Sequence, residues 1–142
     1  MVSKVNAAMG ENDIGLAEKK KIKSYFRMWE TRDFKELKDV FPPSVYYSEC
    51  YGPEYRGIGQ IERWISHMLK SQTVKEWKIT RMIRAEGSKT VVVNWVFSAV
   101  ESSSYSFNGV SIISFDGGGL ISSVEEFKSE ARKFTPDFAK KP

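Results

Sequence analysis

The 142-residue chain contains one cysteine, one histidine and no long apolar run. Cys50 alone cannot form an intrachain disulfide, which fits a reducing compartment. His67 alone cannot assemble a histidine-based zinc site, which needs several nitrogen or sulfur ligands, and it could hardly supply a Ser-His-Asp triad. The sequence therefore predicts no metal and no cofactor.

Membrane and nucleic-acid partners are not predicted either. No segment approaches the roughly 18 apolar residues of a membrane span, and residues 1–15 lack the apolar core of a signal peptide. The 22 basic and 18 acidic residues give a net charge of +4. Nucleic-acid binding would be indicated by exposed aromatic residues interleaved with a stripe of basic residues. In this sequence the aromatic residues lie instead at the spacings of core residues. We expect a cytoplasmic protein.

Apolar residues three and four positions apart predict three helices in the first half of the chain. The first begins at Leu16 and ends near Trp29. The second is short, over 34–41, and ends at Pro42 because proline cannot donate a backbone hydrogen bond. The third covers 58–69. His67 lies at the edge of its apolar stripe, so it is not expected to point into a pocket.

Strands are predicted before and after the third helix. Residues 45–51 suit one strand, and the second half of the chain suits four more, over 74–84, 90–101, 105–115 and 120–129. The strand over 90–101 is apolar on both faces, which is typical of a central strand covered on both sides. A second copy of the sheet is the simplest cover, so we expect a homodimer.

Within the strand over 45–51, alternation places Val45, Tyr47, Glu49 and Tyr51 on one face. If that face is inward, a carboxylate lies in an aromatic surrounding. Cys50, of opposite parity, is expected to pack instead.

The order helix, helix, strand, helix, four strands over about residues 16–131 resembles the nuclear transport factor 2-like superfamily, which includes ketosteroid isomerase and SnoaL-like polyketide cyclases. The segments SECYGPEYRGIGQIERW, 48–64, and FNGVSIISFDGGGLISSVEEF, 107–127, carry the resemblance. It implies an α+β fold: a cone-shaped barrel of three helices packed on a curved, mainly antiparallel sheet. The domain would span 15–131, between a flexible leader, 1–14, and a polar C-terminal segment, 132–142, that is expected to fray.

The resemblance to ketosteroid isomerase also implies roles for individual residues. Glu49 falls at the position of the catalytic base, and Tyr25 at that of the tyrosine that donates to the substrate oxygen. The second donor, a protonated aspartate in that enzyme, falls at Ser111. In the same register Glu126 would point inward as a second carboxylate. The predicted substrate-binding residues are Trp29, Tyr47, Tyr51, Trp64, Trp95, Phe97, Ser111 and Glu126.

The implied function is a cofactor-free isomerase, dehydratase or cyclase that acts on a small hydrophobic carbonyl compound by carboxylate general-base catalysis. Two alternatives remain open at this point. The pocket of a non-catalytic module would bind a small molecule or an apolar peptide, and a dimerisation domain would have no pocket. For Glu49 the alternative is an ion pair with Arg56 or Lys78 at the barrel mouth.

Overall fold

The structure, a computed structural model, describes residues 14–139. The predicted leader lies outside the described residues except for Ile14, which is buried. Two α-helices and six strands follow in chain order, with one 3₁₀ turn between the first helix and the first strand. The elements are α1, Leu16–Thr31; the 3₁₀ turn, Leu37–Asp39; β1, Tyr46–Ser48; β2, Glu54–Arg56; α2, Ile58–Met68; β3, Thr73–Arg84; β4, Thr90–Val100; β5, Ser104–Phe115; and β6, Ile121–Ser129.

All six strands form one sheet in the order β2-β1-β6-β5-β4-β3. Every pair is antiparallel except β1 with β6, which is parallel. A tight turn joins β5 to β6, where the Asp116 carboxylate accepts the backbone N–H groups of Gly118 and Leu120, and Gly119 adopts a φ of 84°. The α+β fold class is therefore as predicted, with a mixed and mainly antiparallel sheet.

The helix α1 packs its apolar face against β3 and the core. It ends because Arg32 adopts a left-handed conformation with a φ of 60°. The Arg32 guanidinium then donates to the carbonyl oxygens of Leu69 and Gln72, at 2.6 and 2.7 Å. These bonds fix the end of α1 against the segment that connects α2 to β3.

The predicted helix over 34–41 is wrong. The segment makes only the 3₁₀ turn at Leu37–Asp39. A segment of eight residues forms too few backbone hydrogen bonds to offset the entropic cost of helix nucleation. Pro42 ends the segment. The Asp33 carboxylate also holds the backbone N–H of Lys35 in a local turn. Leu37, Val40 and Phe41 are nevertheless buried in the core.

The strand β4 alternates strictly between the two faces of the sheet. Its inner residues are Val91, Val93, Trp95, Phe97 and Ala99, which are all buried. The residues of opposite parity are half-buried. The inner face lies against the helices and lines the interior of the fold.

Candidate functional site

A small cavity of about 40 Å³ lies between the helices and the inner face of the sheet. Every major element except β1 and β2 contributes a side chain, and the loop 49–51 supplies three more. The cavity is lined by Trp29, Glu49, Cys50, Tyr51, Trp64, Met68, Gln72, Trp77, Trp95, Phe97, Phe107 and Glu126. Among these described residues none is lysine or arginine. The walls are therefore aromatic, with two carboxyl groups and no basic side chain.

A wider mouth of about 760 Å³ lies outside this cavity. The two spaces share Glu49, Tyr51, Trp64, Met68 and Phe107, so these five residues form the neck between them. The mouth adds Glu101, Glu130, Lys128 and His67, among others. A molecule that enters from solvent therefore passes Glu49 before it reaches Glu126.

Glu126 lies at the inner end of this route. It is 9% exposed, and its Oε2 accepts a hydrogen bond from the Tyr47 hydroxyl. Burial, reinforced by the nearby charge of Glu49, raises the pKa of Glu126 to about 8, although the hydrogen bonds from Tyr47 and the backbone of Cys50 act in the opposite direction. At neutral pH the Glu126 carboxyl is therefore mostly protonated.

Tyr47 ends a chain of hydrogen bonds that begins on α1. Trp29 Nε1 donates to the Tyr25 hydroxyl at 3.0 Å, and Tyr25 donates to the Tyr47 hydroxyl at 2.8 Å. Burial raises the pKa of both tyrosines well above the usual value, so both hydroxyl groups keep their protons. The chain orients Tyr47 towards the Glu126 carboxyl group.

Glu49 lies in the loop just after β1, where its side chain is half-buried. It accepts a hydrogen bond from the Tyr55 hydroxyl at 2.6 Å. Burial raises the pKa of Glu49, and the bond from Tyr55 opposes that rise. Within residues 14–139 Glu49 has no ion pair, because Arg56 reaches Glu54 instead, at 3.8 Å. Glu49 is thus accessible from the neck and has one oxygen already hydrogen-bonded.

The structure brings most of the predicted site residues to one cavity. Glu49, Trp29, Tyr51, Trp64, Trp95, Phe97 and Glu126 line it. Tyr25, Tyr47 and Ser111 are buried but do not line it. The Tyr25 hydroxyl hydrogen is already donated to Tyr47, and Ser111 Oγ accepts the Trp95 Nε1–H at 2.9 Å.

The sequence reasoning missed five residues that line the cavity: Cys50, Met68, Gln72, Trp77 and Phe107. Trp77 and Phe107 have a signal in the sequence, because both are aromatic residues on predicted strands, and the structure pairs each with Phe97 across the sheet. Cys50 could not, because β1 ends at Ser48 and strict alternation stops there. Cys50 and Glu49 then face the same space, and burial raises the pKa of the Cys50 thiol to about 12.

Among residues 14–139, no three His, Cys, Asp or Glu side chains lie together as a metal site would require. No helix in that range is long and apolar enough to cross a membrane.

Comparison with known proteins identifies the family of this chain. The model of the SnoaL-like domain matches residues 22–124. No curated protein matches the chain. Among solved structures, a protein with a ketosteroid isomerase-like fold from Catenulispora acidiphila, in complex with trimethylamine, has 17% identity and a TM-score of 0.67 over 78% of this chain and 85% of that one.

Two further structures have related folds. A steroid delta-isomerase from Pseudomonas aeruginosa has 17% identity and a TM-score of 0.62 over 82% of each chain. An LEH-like epoxide hydrolase from M. tuberculosis has 15% identity and a TM-score of 0.68 over 80% of this chain and 79% of that one. At these identities the likeness establishes the nuclear transport factor 2-like fold alone.

Proposed function

The chain belongs to the SnoaL-like domain family, and from that premise we propose that it is a cofactor-free isomerase, dehydratase or cyclase. Its substrate is a small hydrophobic carbonyl compound, from which Glu49 removes a proton. The observation that carries the proposal is that two carboxyl groups in different surroundings line one aromatic cavity. Pairs of this kind divide into an acid and a base.

Glu49 is the base because it is the less buried of the two carboxyl groups and is reached first from the mouth. Its pKa is raised by partial burial, which makes it a stronger base than a solvated glutamate. The hydrogen bond from Tyr55 fixes one oxygen and leaves the other for the substrate.

Glu126 is the donor because burial keeps its carboxyl group protonated. A neutral carboxylic acid can donate to a carbonyl oxygen on which negative charge develops. The resemblance to ketosteroid isomerase implied this role for the position of Ser111, and Glu126 lies directly opposite Ser111 in the register of β5 and β6. The acid is therefore supplied from the neighbouring strand.

Tyr25 has a supporting role in this proposal. Its hydroxyl donates to Tyr47, which in turn donates to Glu126. Tyr25 thus acts on the substrate only through Tyr47 and Glu126 and is a positioning residue.

A second candidate function is a non-catalytic module that binds a small hydrophobic amine. The aromatic walls, the two carboxyl groups and the absence of a described basic residue in the lining favour an organic cation. The Lys128 ammonium already lies 4.5 Å from the centre of the Tyr51 ring. The relative from Catenulispora acidiphila was solved with trimethylamine.

The direction of the pH dependence separates the two functions. Donation by Glu126 needs its proton, so catalysis should fall as pH rises through about 8. A bound cation needs the Glu126 carboxylate, so affinity should rise over the same range.

The experiment measures two quantities between pH 5 and pH 10. One is deuterium exchange next to the carbonyl of cyclohexanone and 2-tetralone, followed by NMR in D₂O. The other is the affinity for choline and for its uncharged isostere, 3,3-dimethylbutan-1-ol. Exchange above the buffer rate, with a decline above pH 8, supports the enzyme. Choline binding that strengthens as pH rises, without deuterium exchange, would refute the enzyme and support the amine-binding module.

For the quaternary state we propose a homodimer through the outer face of the sheet. The half-buried residues Val92, Val96, Val110 and Ile112 of β4 and β5 form an apolar strip there. Sedimentation of the wild type and of Val96→Lys checks this. A monomer in both samples would refute the dimer.

A further inference from the structure

The chain after β6 exposes two large aromatic side chains. Residues 131–139, here called the tail, are all exposed and form no helix or strand. Phe134 is 79% exposed and Phe138 91%. Full burial of a phenylalanine side chain is worth about 1.5–3 kcal/mol, so either ring would stabilise a state in which it binds to an apolar surface.

The tail begins at the rim of the mouth. Glu130, the residue before the tail, lines the mouth together with Lys128 of β6. An extended chain advances about 3.3 Å per residue, so Phe134 can reach about 13 Å from Glu130. Phe134 is therefore tethered within reach of the space in front of the cavity.

The chemistry of the mouth complements that of the tail. The mouth contains an apolar wall with Tyr51, Trp64, Met68 and Phe107, which would take an aromatic ring. It also contains the three carboxylates of Glu49, Glu101 and Glu130. Lys128 is the single lysine or arginine among the described residues that line it, and Lys128 is already paired with Glu130.

The tail has the opposite charge. Arg132 and Lys133 precede Phe134, and Asp137 is the one acid in the tail. A basic pair next to an aromatic anchor matches an apolar wall rimmed by carboxylates. Charge, apolar surface and tether length thus agree on one occupant, the tail of the same chain.

We propose that the tail folds back over the mouth as a lid, with Phe134 against the wall of Tyr51, Trp64, Met68 and Phe107, and Arg132 and Lys133 near the rim carboxylates. The present structure, in which the tail is exposed, is the open state. In the closed state the lid separates the cavity from solvent. The lid does not depend on whether the bound molecule is a carbonyl compound or an amine.

Cys50 provides the measurement, because it is the only cysteine in the sequence and lines the cavity behind the neck. Its rate of modification by N-ethylmaleimide at pH 9 reports access to the cavity. The full-length chain is compared with a chain that ends at Glu130, with Phe134→Ser and with Leu16→Ser. Leu16 is the matched control, since it is 75% exposed and does not line the mouth.

We expect modification to be at least threefold faster in the truncated chain and in Phe134→Ser than in the full-length protein, with Leu16→Ser unchanged. Raising the salt concentration should also speed the full-length reaction, because it screens the charges of Arg132 and Lys133. Equal rates in full-length protein and Phe134→Ser would overturn the lid. If the truncated chain fails to fold, Phe134→Ser decides alone.

Protein concentration distinguishes the tail of the same chain from the tail of a second copy. A lid within one chain gives rates that do not change with dilution. Protection that is lost on dilution would assign the mouth to a second copy and refute the proposal as stated. Neither result depends on catalysis by Glu49. The modification of Cys50 therefore tests the lid independently of the proposed enzyme activity.

Discussion

Glu126 and Glu49 are the same residue type in one cavity, yet their surroundings differ. Glu126 lies on the last strand, buried beneath the aromatic walls, with Tyr47 as its hydrogen-bond donor. Glu49 lies in a loop at the neck, half-buried, with Tyr55 as its donor. Burial raises both pKa values, and that of Glu126 reaches about 8. Depth in the fold, more than the hydrogen-bond partner, decides which carboxyl group keeps its proton.

The largest expected effect concerns stability and pH. The pKa of Glu126 is about 8 in the folded chain against 4.5 as its reference value. As pH rises between these values, the unfolded chain loses this proton while the folded chain keeps it, so the free energy of unfolding falls. Over the 3.5 units the loss is roughly 5 kcal/mol at about 1.4 kcal/mol per unit.

Chemical denaturation of the wild type and Glu126→Gln at pH 5 and pH 9 measures this loss. The variant has no titrating group at this position. Between pH 5 and pH 9 the free energy of unfolding of the wild type should therefore fall by several kcal/mol relative to that of the variant. An equal pH dependence in both proteins would show that Glu126 ionises as freely in the folded chain as in the unfolded one.

The next effect tests the other carboxyl group. Glu49→Gln removes the base and should lower the exchange rate of a ketone substrate by about 10²–10⁴-fold. Glu54→Gln is the control, because Glu54 lies on β2, is exposed and does not line the cavity. An exchange rate in Glu49→Gln equal to that of the wild type would show that Glu49 is not the base.

A smaller effect tests the wall that keeps Glu126 dry. Gly109 lies opposite Trp95 in the sheet, and a Cβ there would lie 2.2 Å from the Trp95 ring and 2.5 Å from the Phe127 carbonyl oxygen. Gly109→Ala should destabilise the fold by about 1–3 kcal/mol, since ring and backbone must shift. It should also lower the pKa of Glu126 as water enters. Thermal unfolding and a carboxyl titration measure the two consequences.

Tyr47→Phe is expected to affect stability to a similar extent as Gly109→Ala. It removes the donor to Glu126, which costs about 1–3 kcal/mol if the carboxyl group is left unsatisfied. The pKa of Glu126 should rise further, because the bond from Tyr47 favours the charged form. Tyr55→Phe at Glu49 is the matched variant and should raise the pKa of Glu49 for the same reason.

The four long strands could be predicted from the sequence, and β3 to β6 begin and end within one residue of the expected positions. The inward direction of Glu126 was implied by the resemblance to ketosteroid isomerase, and Glu126 is indeed buried. β2 was not predicted, because a three-residue strand has too few residues to show alternation. The helix over 34–41 was wrong for a related reason, since its apolar spacing suits a 3₁₀ turn equally well.

The site is less predictable than the fold because it depends on contacts between distant residues. Tyr25 could be placed on the inner face of α1 from its spacing. Only the folded chain shows that its hydroxyl donates to Tyr47, 22 residues away. Likewise, β1 ends before Glu49, so the direction of the loop 49–51 was set by tertiary packing and not by strand parity.

The most direct test of the account is a carboxyl NMR titration of the wild type, with Glu49 and Glu126 assigned by Glu49→Gln and Glu126→Gln. The account predicts that Glu126 titrates near pH 8 and Glu49 at a lower pH, above the reference value of 4.5. If Glu126 titrates near 4.5, its surroundings are wet, and both the protonated donor and the division of roles between the two carboxyl groups are contradicted.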